Sequence, residues 1–578
     1  MSQEQRDIID LEDIGGLEDE PEEEGMTYIY DEDDDMSDEG DEEDDDYEDM
    51  DEDEDVDFDD HNDDEDEEGK GEDSEEEQDD GQPFSALLGG LRLMHSLHGN
   101  RTYSNRRREP SPTPEPDYQK GGEILNSGDF GAVESAHLTT AVPMKNVSRK
   151  LWMRQLNPRV VNTTSIGENF LPCNPGKVIE PSRHPVYSGG YSADGSIFAS
   201  CDQDYKLRIY RTAGNRLIRE KVMQGMAGRW TITDHALSLD NDWIIYSSIT
   251  PYVHLTRTAA DAPDTHHQLD FSPADEEYDV GLWSVQFSGN GREIVAGGQN
   301  RIYVYDIESR TVLHSIAAHG DDVNSVCFSE PTSSQVVFSG SDDASVKVWD
   351  RRSMRAGSGI PSGVLVGHTE GITHVTSKGD NRYLASNGKD QKMLLWDLRM
   401  MHSNRDYRKM PPNRGTGFDY RMSDYPGSKS TKLEGDCSVM SFRGHKVLRT
   451  LIRCHFSPVQ STGQRYLYTG SSDGQVAIYR LDGTLVKTLD VNAAFQKYSQ
   501  SSRSGSYIAR DVSWHPHCPS IISSCRITDN GYGSYSDIGG GLVQHAFRMG
   551  LESDDSESDV EPASRPIQPR HRPRAAFQ

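Results

Sequence analysis

A strand–turn–strand pattern repeats along the body of this chain, and it restricts the possible folds more than any other feature. Each copy combines a short apolar strand, a Gly- and Ser-rich turn with an Asp, and a strand that closes, in all copies but one, on an aromatic residue. The closing positions are separated by 46, 49, 44, 47 and 83 residues. A period in the mid-forties is typical of a four-stranded propeller blade. The closing positions are Tyr210, Thr256, Tyr305, Trp349, Trp396 and Tyr479.

A seventh copy is expected after the six regular ones. Residues 511–525 match the two inner strands of a blade, and GLVQHAF at 541–547 is expected to supply the next strand. A strand near 168–180 would then complete the last sheet and close the ring, which removes exposed sheet edges. We therefore predict an all-β fold, a seven-bladed β-propeller over 150–550. The long last interval is explained by an insertion at 402–436, which we expect to be a surface excursion between two blades.

The negative charge is concentrated at one end of the chain. The net charge is −41, and residues 1–80 hold 47 of the 99 Asp and Glu residues but two of the 58 Lys and Arg residues. Strong self-repulsion and little apolar area predict a long disordered acidic N-terminal tail over 1–81. Such a tail either keeps the protein soluble or contacts basic partners such as histones and nuclear transport factors. The remaining body is nearly neutral, which disfavours direct binding to nucleic acid.

The segment 82–149 is predicted to be a linker with one short amphipathic helix. Apolar residues recur at helical spacing over 84–98, although two adjacent glycines weaken the helix. Two interpretations stay open, because this helix either folds on a partner or caps the core of the body. The basic cluster Arg106–Arg108 is compatible with nuclear import. Residues 551–578 are predicted to form a disordered C-terminal tail.

Several classes of protein are disfavoured by motifs that the sequence lacks. No apolar run reaches the roughly 18–20 residues of a membrane span, and the first residues lack the basic and apolar regions of a secretory signal. The seven cysteines are scattered and form no CxxC pair, which suits a reducing compartment. No GxSxG, HExxH or phosphate-binding loop occurs. We therefore expect no catalytic residues, metal, cofactor or membrane contact, and a location in the nucleus and cytoplasm.

Two repeats contain literal Trp-Asp dipeptides, and Gly-His dipeptides stand where a blade would begin. In these features the chain resembles the WD40 family. In that family the blade His and a turn Asp join a Ser or Thr and the Trp in a hydrogen-bonded network. A turn Asp accepts backbone N–H bonds and a neutral His can donate to it, so a structural role is expected. The residues matching this network are Asp204, His319, Asp343, His368, Asp390, His445 and Asp473.

Both Trp-Asp dipeptides are followed, two residues after the Asp, by an arginine. This WDxR box recurs in propellers that serve cullin-4 ubiquitin ligases, where its Arg lies on the face that docks to the damaged-DNA-binding-protein-one adaptor. The resemblance implies adaptor binding here, and a planar, permanently charged guanidinium suits that role. The alternative is that each arginine packs beside its own blade. The two boxes consist of Trp349, Asp350 and Arg352, and of Trp396, Asp397 and Arg399.

A longer match joins the chain to one family of such receptors. The segments FDYRMSDYP (418–426), FRGHKVLRTLIRCHFSPVQSTGQRYLYTGSSDGQVAIYRLDG (442–483) and RDVSWHP (510–516) resemble the family of WD-repeat protein twenty-three, also called cullin-4-associated factor eleven, with its plant LEC14B-type relatives. The resemblance implies a non-catalytic substrate-recognition subunit of a cullin-4 RING ubiquitin ligase, which presents a protein substrate for ubiquitination and proteasomal degradation. The alternative is a WD40 scaffold, or a histone or ribosome-assembly chaperone that uses the acidic tail.

Overall fold

Seven four-stranded antiparallel sheets surround a central channel in the part of the protein that the structure describes. The computed structural model describes residues 117–130, 152, 155, 170–226, 228–272, 280–354, 359–413, 415–426, 433–499, 506–528 and 539–547. The seven sheets confirm the predicted seven-bladed β-propeller. The tails predicted over 1–81 and 551–578 and the helix predicted over 84–98 lie outside the described residues.

Four consecutive strands form each of the first three blades, and the first strand of every blade lines the channel. In blade 1 they are β2 (Val186–Tyr191), β3 (Ile197–Asp202), β4 (Lys206–Ala213) and β5 (Arg216–Gln224). In blade 2 they are β6 (Asp234–Leu237), β7 (Trp243–Ser247), β8 (Tyr252–Arg257) and β9 (His267–Asp270). In blade 3 they are β10 (Leu282–Phe287), β11 (Glu293–Gly298), β12 (Arg301–Asp306) and β13 (Thr311–Ala317).

Blades 4 to 6 follow the same order from the channel outwards. In blade 4 the strands are β14 (Val323–Glu330), β15 (Ser333–Ser341), β16 (Val346–Asp350) and β17 (Gly363–Leu365). In blade 5 they are β18 (Ile372–Ser377), β19 (Tyr383–Gly388), β20 (Lys392–Asp397) and β21 (Met440–Phe442). In blade 6 they are β22 (Cys454–Phe456), β23 (Tyr466–Thr469), β24 (Gln475–Arg480) and β25 (Leu485–Asp490).

Blade 7 is built from both ends of the propeller and closes the ring. Its three inner strands are β26 (Tyr507–Trp514), β27 (Ser520–Ile527) and β28 (Gly540–Ala546). Its outermost strand is β1 (Lys177–Ser182), which pairs antiparallel with β28. The predicted closure by a strand from before the first blade is therefore confirmed, with the strand at the end of the expected segment and just beyond it.

Apolar side chains fill the space between each pair of neighbouring blades. Between blades 3 and 4, Val295 and Ile302 pack with Val337 and Trp349. The space between blades 7 and 1 is filled in the same way by Ile522, Leu542, Val186, Phe198 and Tyr210. Because neighbouring blades cover both faces of a sheet, consecutive residues of a strand can all be apolar, as IYVY in β12 illustrates.

Helices are short and decorate the ring. Among the described residues they are α1 (Tyr118–Asn126), α2 (Asn404–Tyr407), α3 (Val459–Thr462), α4 (Val491–Ser499) and the 3₁₀ helix Leu398–Met400. Each of these described helices is too short or too polar to cross a bilayer. Helix α4 packs beside blade 7, where the rings of Phe495 and Tyr507 stack with their centroids 3.8 Å apart.

Candidate protein-interaction faces

The connections of the propeller fall on two opposite faces. Turns from the first to the second strand and from the third to the fourth share one face, which carries Arg352 and Arg399 and which we call the WD face. Turns from the second to the third strand share the opposite face with the connections between blades. The two faces present different side chains at the ends of the central channel.

Blade 4 contains a complete hydrogen-bonded network. His319 Nδ1 lies 2.8 Å from Asp343 Oδ2, and His319 Nε2 lies 2.7 Å from Ser339 Oγ. The indole N–H of Trp349 donates to the same Ser339 oxygen at 2.9 Å. Burial lowers the pKa of His319, while the hydrogen bond from His319 outweighs burial at Asp343 and holds the pKa of that carboxyl below its usual range. The chemistry fixes the blade rather than offering a reactive group.

Blade 5 repeats this geometry one blade further round. His368 Nδ1 lies 3.0 Å from Asp390 Oδ1, and its Nε2 lies 2.7 Å from Ser386 Oγ. Trp396 Nε1 donates to Ser386 Oγ at 2.8 Å. Burial opposes ionisation of Asp390, yet the adjacent His368 keeps the pKa of Asp390 below its usual value. The four residues are all buried.

Blade 6 departs from the network because Tyr479 stands where blades 4 and 5 have Trp. His445 Nδ1 lies 3.2 Å from the Tyr479 hydroxyl, and its Nε2 lies 2.8 Å from Asn387 Oδ1 of blade 5. Asp473 does not join His445; its carboxylate accepts the backbone N–H of Gln475 at 3.2 Å. Burial lowers the pKa of His445 to about 4. The histidine therefore links two blades instead of pinning a turn of its own.

Blade 1 also lacks the full network. The carboxylate of Asp204 forms an ion pair with Lys206 and lies 3.9 Å from His184 Nε2. The Lys206 hydrogen bond lowers the pKa of Asp204. Of the seven residues predicted for the network, the structure thus brings four together as two His–Asp pairs and gives the other three different partners.

The arginine of the first WDxR box is an exposed cation held by its own box. Trp349 is buried, whereas the side chain of Arg352 is 76% exposed. Arg352 Nε donates to Asp350 Oδ1 at 3.0 Å, and Nη2 donates to Asp350 Oδ2 at 2.6 Å. These hydrogen bonds lower the pKa of Asp350. The guanidinium is therefore fixed in one orientation on the WD face.

The second box has the same conformation in the next blade. Arg399 Nε donates to Asp397 Oδ1 at 3.0 Å, Nη2 donates to Asp397 Oδ2 at 2.6 Å, and the side chain is 67% exposed. Asp397 also accepts a 3.2 Å hydrogen bond from Arg382 Nε. Burial opposes its ionisation, but Arg399 outweighs this and the pKa of Asp397 is lowered. Each arginine is thus held by the Asp of its own box, and its exposed side chain leaves room for a partner.

A segment that the sequence indicated as linker docks beside the second box. Residues 117–130 begin with Asp117, which accepts the N–H of Lys120 at 2.9 Å and caps α1. They end with Phe130, whose buried ring lies 5.0 Å from that of Tyr383. Asp129 accepts a 2.5 Å hydrogen bond from Arg382 Nη1. The segment therefore continues the charged surface of Asp397 and Arg399.

Residues 310–350 and 359–397 match the family model described as WD domain, G-beta repeat. The LEC14B protein of Lithospermum erythrorhizon is 40% identical over 424 residues, which cover 68% of this chain and 86% of the plant protein. The chain belongs to the LEC14B family. The LEC14B homolog of Prunus armeniaca is 42% identical to it over 365 residues, which cover 61% of this chain and 73% of that protein.

Nematode proteins are also similar to this chain. The protein called DDB1- and CUL4-associated factor 11 homolog in Caenorhabditis elegans is 34% identical to this LEC14B-family chain over 380 residues, 64% of this chain and 63% of the nematode protein. The resemblance that the segments 418–426, 442–483 and 510–516 indicated is thus confirmed.

The insertion at 402–436 lies inside blade 5 of the LEC14B-family ring, so the expectation that it separates two blades is wrong. It leaves the third strand β20, and the chain then returns to form the fourth strand β21. That strand is three residues long, too short to stand out in the sequence. From the WD face the insertion reaches the opposite face, where the Lys389 ammonium lies 4.3 Å from the Tyr420 ring centroid.

The channel of the LEC14B-family propeller is crossed by a buried ionic cluster that sequence reasoning missed. Arg453 Nη2 donates to Asp234 Oδ1 at 2.7 Å, and Nη1 donates to Asp511 Oδ2 at 3.1 Å and to Ser188 Oγ at 3.0 Å. His455 Nε2 lies 3.2 Å from Asp511 Oδ1. The cluster joins the inner parts of blades 1, 2, 6 and 7. The one sequence signal was the arginine in LIRCHF, directly before an inner strand.

Proposed function

We propose that this LEC14B-family protein is a substrate-recognition subunit of a cullin-4 RING ubiquitin ligase and that its WD face docks to the damaged-DNA-binding-protein-one (DDB1) adaptor. One observation carries the proposal: neighbouring blades present Arg352 and Arg399 as exposed, identically oriented cations on one face. The names of the nematode relatives, DDB1- and CUL4-associated factor 11 homolog, support it.

The geometry of the boxes suits docking. Each arginine uses Nε and Nη2 to hold its own Asp, and no hydrogen bond from either Nη1 is found among the described residues. The outer edge of each guanidinium is thus available to carbonyl or carboxylate oxygens of a partner. Because the side chains are already fixed, docking costs them little conformational entropy. Fixed cations of this kind favour a defined orientation of the partner.

The protein would itself carry out no chemistry in this role. It would hold a substrate while the catalytic subunits of the ligase transfer ubiquitin, and the face opposite the adaptor is where we propose that the substrate is bound. The helix predicted at 84–98 is proposed as a second adaptor anchor. We further propose that the protein works in both nucleus and cytoplasm, which imaging of a fluorescent fusion would test.

Affinity purification of the tagged full chain from cells, followed by quantitative mass spectrometry, tests the proposal. DDB1 and cullin-4 should be enriched with the wild-type chain and depleted when Arg352 and Arg399 are both replaced by Ala. Recovery of histones or ribosome-assembly factors without DDB1 would instead favour the chaperone alternative and reject the receptor role.

A further inference from the structure

The face opposite the WD face opens into a cavity of about 840 Å³, which we call the funnel. Connections between blades and the insertion line it, and its floor is Arg453 of the ionic cluster. Its lining contains six cationic side chains and two acidic ones, Asp424 and Asp473. The six cations are Arg421, Lys446, Arg449, Arg453, Arg510 and Arg526.

Among the described residues, the positive charge of the funnel is only partly neutralised. Arg453 pairs with the two carboxylates of the ionic cluster, and Arg421 pairs with Asp419 at 3.1 Å. Lys446, Arg449 and Arg510 have no carboxylate oxygen within 4.0 Å among the described residues. The guanidinium of Arg449 donates instead to the carbonyl of Arg421 at 2.7 Å. Uncompensated cations in a concave site attract anions.

Arg510 is the most unusual of these cations. It is 6% exposed, its Nη1 donates to the carbonyl of Tyr187, and its Nε has no partner among the described residues. Burial, together with the charge of Arg453, lowers the pKa of Arg510 to about 10, so the side chain stays charged at neutral pH. A buried charge without a direct ion pair is unfavourable, and the charges of Asp511 and Asp234 only partly offset the burial of Arg510. An incoming carboxylate would remove that penalty.

The rim of the funnel adds an apolar contact. The indole of Trp230 is 53% exposed and lies 5.2 Å from the ring of Tyr187, whose other neighbours include the guanidinium of Arg510 at 5.3 Å. Trp230 adopts φ = 69°, a backbone conformation that a bulky residue rarely adopts. Met422 of the insertion is 73% exposed on the same rim. Strain and exposure at an aromatic residue are typical of binding sites.

We propose that the funnel binds an acidic peptide segment of the substrate, with one carboxylate against Arg510 and an apolar side chain against Trp230. This inference rests on the proposed receptor function and names the chemistry of its substrate. The size of the funnel suits several residues rather than a single small anion. The apolar rim also favours a peptide over an inorganic anion, because an inorganic anion has no group to place on Trp230 and Met422.

Fluorescence anisotropy with the full chain tests the proposal directly. The probe is a labelled dodecapeptide of Asp, Glu and Ser with one central Phe. In the control peptide every Asp is replaced by Asn and every Glu by Gln. The acidic peptide should bind at least about tenfold more tightly than the neutral one, and binding should weaken as NaCl is raised. Equal binding of the two peptides, or no binding of the acidic peptide, would overturn the proposal.

Charge reversal separates the funnel from general electrostatics. Lys446→Glu with Arg449→Glu alters two exposed funnel residues and should weaken the acidic peptide at least about tenfold. The matched control, Arg216→Glu with Arg292→Glu, makes the same change in net charge at two exposed residues on the WD face. It should bind like wild type. If both double variants lose affinity equally, the funnel is not the binding site.

Single substitutions test the two anchors, and competitors test the occupant. Arg510→Met and Trp230→Ala should each weaken the acidic peptide severalfold; if Arg510→Met fails to fold, the exposed double variant still decides. Inorganic phosphate should not displace the peptide at equal ionic strength. Tighter binding of a phosphoserine peptide without carboxylates, or of a single-stranded oligonucleotide, would assign the funnel to another ligand and reject the peptide.

Adaptor capture by the same preparations keeps this inference distinct from the proposed function. The Lys446→Glu, Arg449→Glu variant should still capture DDB1, and the Arg352→Ala, Arg399→Ala variant should still bind the acidic peptide. If the wild-type chain binds the acidic peptide but does not capture DDB1, the result would count against the receptor role alone. Adaptor capture without peptide selectivity would count against the funnel alone.

Discussion

Gly121 of α1 lies directly against Asp482 of blade 6, and a Cβ on this glycine would stand 2.3 Å from the Asp482 Cα. The next residue, Gly122, has open space around the same position, with no atom within 4 Å. A helical glycine is less favourable than alanine by about 1 kcal/mol. The close approach of α1 to the blade therefore explains why a glycine is needed at position 121. It gives no reason for the glycine at position 122.

This pair predicts opposite outcomes for the same substitution. Gly121→Ala should push α1 off the WD face, because backbone and Cβ of Asp482 cannot yield, and should raise amide hydrogen exchange over 117–130. Gly122→Ala should leave exchange unchanged or slow it, because alanine favours the helix. Hydrogen-exchange mass spectrometry on both variants measures the difference. Equal exchange in the two variants would show that α1 does not dock as described.

The WDxR boxes predict a loss of adaptor affinity without a loss of stability. Arg352→Ala with Arg399→Ala should weaken DDB1 binding at least about tenfold, equivalent to about 1.4 kcal/mol. The melting temperature should stay near wild type, because an exposed ion pair such as that of Arg352 contributes little to stability and the buried Asp397 keeps its hydrogen bond from Arg382. Isothermal titration and differential scanning fluorimetry measure the two effects.

Arg421→Ala is the matched control for the boxes. Arg421 holds Asp419 through its backbone N–H and its Nε, the same two-residue spacing as in the boxes, but lies on the opposite face. The Arg421→Ala variant should therefore bind DDB1 with unchanged affinity. A double box variant that folds and binds DDB1 like wild type would disprove the docking role of both arginines.

Replacing Arg453 is expected to lower the free energy of unfolding substantially. Arg453→Met would leave Asp234 and Asp511 buried with their cation removed, and losing one partner of a buried ion pair costs about 3–5 kcal/mol. Adding Asp234→Asn and Asp511→Asn should recover part of the loss. Urea unfolding measures both variants, with Arg211→Met, which removes the exposed pair with Glu220, as a control costing about 0–1 kcal/mol. An unchanged midpoint for Arg453→Met would contradict the stabilising role of the cluster.

Buried histidines predict loss of stability on mild acidification. Burial lowers the pKa values of His235, His254 and His445 from 6.5 to about 4. Between these values the unfolded chain binds more protons than the folded one, so the free energy of unfolding falls as the pH drops from 6.5 towards 4. The lowered pKa values of Asp343 and Asp390 add a further loss at still lower pH.

A single substitution tests the histidine contribution. His445→Gln should flatten the fall in melting temperature between pH 6.5 and 4, because glutamine keeps a polar group near Asn387 and Tyr479 but takes up no proton. A slope unaffected by His445→Gln would assign the acid sensitivity to other groups.

Local patterns in the sequence revealed the ring but not its surfaces. Trp349 and Trp396 mark third strands because a buried aromatic closes the third strand of most blades, and this pattern can be read from residues that are close together in the chain. The docking of α1 could not be predicted, since it depends on Gly121 and Phe130 meeting a distant blade. The funnel could not be predicted from the sequence either. Arg510 becomes a buried cation only when the ring places it beside Tyr187 and Arg453.

Because β1 pairs with β28, the ring can close only after nearly the whole propeller has been translated. The ribosome releases residues 177–182 long before residues 540–546, so the two strands that complete blade 7 cannot meet until the propeller is almost fully synthesised. A chain truncated before 540 would expose the outer edge of β27 and leave β1 without its neighbour. Open strand edges promote aggregation. Premature stop products of this protein should therefore be substrates of cellular quality control rather than partly active proteins.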